Sequence, residues 1–169
     1  MKYNSTLLRH FRKPAHAAEL LVDSAAAVDA EVFADSVALA AVDGSAEHLL
    51  RVSAGSYDQG AMVVLFIVWQ GSSESGRIGQ ARFLAFGEPS VIALADALCA
   101  ALEGLDSAAL ADFSLQPLQQ ALGLPNTALH VVMLFNEVLE LLRGQLADRL
   151  QVSAETLTQA ATTKAQADP

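Results

Sequence analysis

Residues 61–69, AMVVLFIVW, form an unbroken run of nine apolar residues between the glycine-containing stretches 55–60 and 71–76. The run is about half of the roughly 20 residues that a helix needs to cross a bilayer. Its content of Val, Ile, Phe and Trp favours a strand. From Met62 to Trp69 apolar side chains fall on both faces of that strand, so both faces must be removed from water. A chain built around it needs neighbouring strands, helices across one face and a cover for the other. Segment 17–47, a second subunit or a partner protein would each provide that cover.

The neighbours are legible. Residues 49–54 make a short strand leading into the turn-rich loop 55–60, and Gly-Ser-Ser-Glu-Ser-Gly at 71–76 reads as a hairpin connection to a third strand over 77–86. In that strand Ile78, Ala81, Phe83 and Ala85 are apolar with Gln80 and Arg82 between them, which predicts one wet face. Leu7, Leu8 and Phe11 have helical spacing, and Pro14 stops their helix near residue 12 or 13. His10 is expected on the polar side of this helix.

After the third strand the chain turns helical. Pro89 suits a first helical turn, Val91, Leu94, Ala95, Leu98 and Leu102 line one face, and Gly104 ends the helix. Residues 115–122 make a short helix closed by Gly123. Asn126 or Thr127 then caps the longest helix, whose stripe is Leu129, Val132, Met133, Phe135, Leu139, Leu142 and Leu146. Residues 17–44 are Ala-rich and acidic; Leu20, Leu21, Val28, Val32 and Phe33 suit one or two short helices, and 37–42 suits a strand instead. The expected fold is α+β, a small three-stranded antiparallel sheet with helices packed on one face. Residues 1–151 form a single domain, and residues 152–169, without an apolar stripe, form a flexible tail.

The formal net charge of −9 argues against general nucleic-acid binding, which needs clustered Lys and Arg. Four of the ten basic residues (Lys2, Arg9, Arg12, Lys13) precede residue 14, and every charged residue from there to Arg51 is acidic. A solvated acidic surface and a docking face for a basic partner both fit this pattern. No secretory signal or membrane span is apparent, and the expected location is cytoplasmic. A single cysteine, Cys99, excludes an internal disulfide and cannot by itself supply a multi-cysteine cluster site. It lies beside the apolar face of its helix and is expected to be buried and inert. The four histidines lie in unrelated segments, and no nucleophile motif, P-loop or HExxH occurs, so no catalytic residue is assigned.

Four strings carry a resemblance. LRHFRKP at 8–14, GAM at 60–62 before the central strand, ARFLAFGEPSVIA at 81–93 and LGLP at 122–125, continuing to His130, resemble the iron–sulfur cluster assembly scaffold family, the IscU-type proteins and the N-terminal domain of NifU. The resemblance implies the same α+β fold and three cysteines near one another that hold iron, two of them at helix N-termini where the dipole favours a thiolate. Here Gln59 stands at the first cysteine position, Ala61 at the aspartate, Glu88 at the second cysteine and Val131 at the third, while the histidine is kept as His130. The chaperone-recruiting Leu-Pro-Pro-Val-Lys string reads Leu124-Pro125-Asn126-Thr127-Ala128, without its lysine.

The resemblance therefore implies a non-enzymatic relative of the scaffold proteins that holds no standard cluster and acts through protein–protein contacts in or near cluster assembly. Its partners would be proteins, among them those of the assembly machinery, with no nucleic acid or membrane. No cofactor is expected. Glu88 and His130 are the remnant candidates for iron or zinc, against the plainer reading of a helix-terminal acid and a helix-start histidine. The alternatives are a small-molecule or metal-binding domain that uses the former cluster pocket, and a structural homodimer.

Overall fold

A computed structural model describes residues 3–18, 47–71, 75–125 and 128–165. Asn4 opens helix α1 (Ser5–Arg12) by accepting from the Leu7 N–H at 2.8 Å, and Lys13, directly before Pro14, closes it. Strands β1 (Glu47–Ser56), β2 (Ala61–Gln70) and β3 (Arg77–Phe86) follow, each longer than or equal to its sequence expectation. They make one antiparallel sheet in the order β1-β2-β3, with the apolar run in the centre.

Helix α2 (Pro89–Leu102) starts on the proline, and a short α3 (Ser107–Ala111) lies between it and the next expected helix. Asp106 caps α3 by accepting from the Ala109 N–H. Helix α4 (Gln116–Leu122) ends at Gly123, and α5 (Leu129–Ala165) is the longest element. The α5 backbone stays helical beyond Val152, past the end of the apolar stripe, because Ala, Leu, Gln and Glu are strong helix formers. The capping residues Asn126 and Thr127, and the helices or strand considered for 19–46, lie outside the described residues.

The register assigns the two faces of the sheet. Leu50 pairs with Ile67, Val52 with Leu65 and Ala54 with Val63; across the other ladder Ile67 meets Ala81 and Leu65 meets Phe83. These residues join Leu7 of α1, Val91, Leu94 and Leu98 of α2, Leu122 of α4, and Val131, Phe135, Val138 and Leu142 of α5 in a single core. The helices thus pack on one face. The opposite face presents Val64, Phe66 and Val68, which are also buried in the single chain although they stand outside that core cluster.

The outer edge of β3 is closed. The Phe83 N–H donates to the His16 carbonyl, the Ala18 N–H donates to the Phe83 carbonyl, the Ala81 N–H donates to Glu103 Oε1, and Ile78 exchanges bonds with Gly104 and Leu105. An edge strand plugged in this way offers few free groups to another chain. Arg143 ties α5 to the end of α3, donating to the carbonyls of Leu110 and Phe113.

Candidate functional site

The β1–β2 turn, the β3–α2 junction and the start of α5 converge at one end of the sheet. Gly55 has φ +78°, and a Cβ there would collide with the Ala61 carbonyl, so the turn needs glycine. Gly87, at φ +146°, brings the β3–α2 junction against this turn: a Cβ on it would lie 3.3 Å from the Gly60 carbonyl. Glu88 then caps α2, with its carboxylate at the positive end of the helix dipole. Its side chain makes no capping bond to the backbone; Oε1 accepts from Ser90 Oγ at 2.6 Å and lies 3.4 Å from His130 Nε2 in the first turn of α5.

Glu88 and His130 are therefore brought together, as neighbours with exposed side chains. Gln59 is exposed in the adjacent turn, where its N–H donates to Ser56 Oγ at 3.3 Å. Ala61 is half-buried at the start of β2. Val131 is fully buried in the core, so that position faces inward, away from the Glu88–His130 pair. Two adjacent ligands hold iron or zinc weakly without a third and fourth. Among the described residues no group of three His, Cys, Asp or Glu side chains could hold a metal ion.

A second polar cluster was not anticipated from the sequence. Asp96 is 2% exposed on α2, and both of its oxygens are used. His10 Nδ1 donates to Oδ2 at 2.6 Å, and the His16 N–H and Nδ1 donate to Oδ1 at 2.8 and 3.0 Å. Since the carboxylate only accepts, both imidazoles carry a proton on Nδ1. Burial alone pushes the Asp96 carboxyl up, but the bonds from His10 and His16 outweigh it and hold the carboxyl below its ordinary value of 3.8. His10 thus faces α2 and is half-buried, which corrects its expected place on the polar side of α1: an acid buried on the neighbouring helix needs a donor. The available signal was Asp96 itself, the one charged residue in Pro89–Leu102.

Cys99 lies one turn further along α2 and is fully buried. Burial pushes its thiol far above the ordinary range, and the charges of Asp96 and Glu103 add to the shift. Such a thiol neither attacks nor ligates.

No protein-family model matches the chain, and no curated protein matches it. Among the described residues no helix is long and apolar enough to cross a membrane.

Proposed function

We propose that the chain is a non-enzymatic relative of the iron–sulfur cluster assembly scaffold proteins whose former ligand end works in protein–protein contacts and holds no standard cluster. One observation supports this reading: Glu88 and His130, distant in sequence and standing at two of the ligand positions that the resemblance implies, meet within 3.4 Å at one end of the sheet. The residues standing at the thiol positions do not fit a cluster. Gln59 and Glu88 offer oxygen donors in place of sulfur, Val131 offers none and is buried, and Cys99 is sealed in the core. A contact role needs no ligand set, only an accessible surface, and this end has one in Tyr57, Phe86, Leu129 and Met133.

Anaerobic reconstitution with ferrous iron and sulfide tests the reading. The expected result after desalting is protein without a visible iron–sulfide chromophore. Retention of a chromophore that Glu88→Ala and His130→Ala abolish would refute it.

A further inference from the structure

Six large apolar side chains among the described residues are exposed, and four of them gather at the Glu88–His130 end: Tyr57 at 60%, Phe86 at 48%, Leu129 at 62% and Met133 at 64%. Two contacts, joined by short stretches of chain, bring them to the same end. The Tyr57 and Phe86 rings meet edge to face with centroids 5.1 Å apart. Phe86 is two residues from Glu88, Glu88 touches His130, and Leu129 and Met133 flank His130 on α5. Large aromatic and Met side chains left in water together are what protein-binding surfaces are made of.

Among the described residues of these segments, the side chains with a fixed charge are acidic. Asp58 follows Tyr57, Glu88 sits in the middle, and Glu137 is exposed one turn beyond Met133. The chain has no Lys or Arg from 52 to 76 or from 83 to 142, so the segments that build this surface supply no cation of that kind. An apolar centre with a carboxylate rim is complementary to an apolar segment that carries Lys or Arg at its margins. A second copy fits less well, because a two-fold contact through this end would set one carboxylate-bearing surface against an identical one.

We infer that this end docks a basic, amphipathic segment of another protein, with apolar anchors over Tyr57, Phe86, Leu129 and Met133 and Lys or Arg side chains against Asp58, Glu88 and Glu137. The inference rests on the protein-contact reading above and specifies the partner's chemistry.

A displayed library of random 16-residue peptides, panned against the full chain, tests it. The expected winners combine Lys or Arg with apolar residues. They bind about tenfold more weakly to Tyr57→Ser/Met133→Ser and to Glu88→Lys/Glu137→Lys, with circular dichroism showing both variants folded. Winners that are acidic or uncharged yet still lost in these variants would overturn the inference and leave the contact reading standing. Winners indifferent to the variants, or no enrichment, would count against both. Sedimentation of the chain alone completes the test: a dimer dispersed by the same variants would assign the surface to a second copy and overturn the basic-segment inference.

Discussion

His10 Nδ1 lies 2.6 Å from Asp96 Oδ2, joining the opening helix to the centre of α2 through a carboxylate that is almost fully buried. With His16 on the other oxygen, this one acid pins α1 and the chain after Pro14 against α2, and the same stretch closes the edge of β3.

Asp96→Asn keeps one acceptor but sets amide hydrogens against donors. It is expected to destabilise the fold by about 1–3 kcal/mol in urea titrations. The pH dependence has a defined sign. The folded-state carboxyl is held below 3.8, so its contribution is complete above that value and is lost as pH falls below it. Wild-type stability should therefore drop more steeply below 3.8 than that of the Asn variant; parallel curves would show that the clamp does not favour the ionised acid.

Cys99 is the chain's only thiol and has no exposed surface. An aromatic disulfide reagent is expected to label it only after denaturant is added. Stoichiometric labelling of the native protein within the mixing time would contradict its placement.

Phe66 is fully buried on the face of the sheet turned away from the helices. Phe66→Ala is expected to cost about 3–5 kcal/mol, as for other large buried aromatics. A loss within about 0.5 kcal/mol, the range of ordinary surface substitutions, would show that this face is wet.

The Glu88–His130 pair is exposed, so Glu88→Ala/His130→Ala should change stability by no more than about 1 kcal/mol. Calorimetric titration with zinc is expected to give the same weak heats for the variant and the wild type. Tight binding that the variant loses would assign a metal role to the pair.

The strands were legible because residues 61–69 admit few alternatives and the glycine turns fix their limits; the third strand falls on Arg77–Phe86 as its alternation indicates. The long reach of α5 was not, because a stripe of apolar residues marks where a helix packs and not where its backbone stops. The meeting of Glu88 with His130 was reachable only through the resemblance, since nothing in local spacing links a helix cap to a helix start far along the chain. The Asp96 clamp was hidden for a related reason. His10 looks like an exposed polar residue until the acid on the facing helix is known, and no periodicity within α1 reports what lies opposite.

Native mass spectrometry of protein expressed and purified without oxygen, with acid-labile sulfide assayed on the same sample, tests most directly whether the Glu88–His130 end of the sheet is free of a cluster, as proposed. The expected result is a mass equal to 17.8 kDa or a multiple of it, with no iron and no sulfide. Iron and sulfide in equal amounts on the native protein would contradict the proposed role.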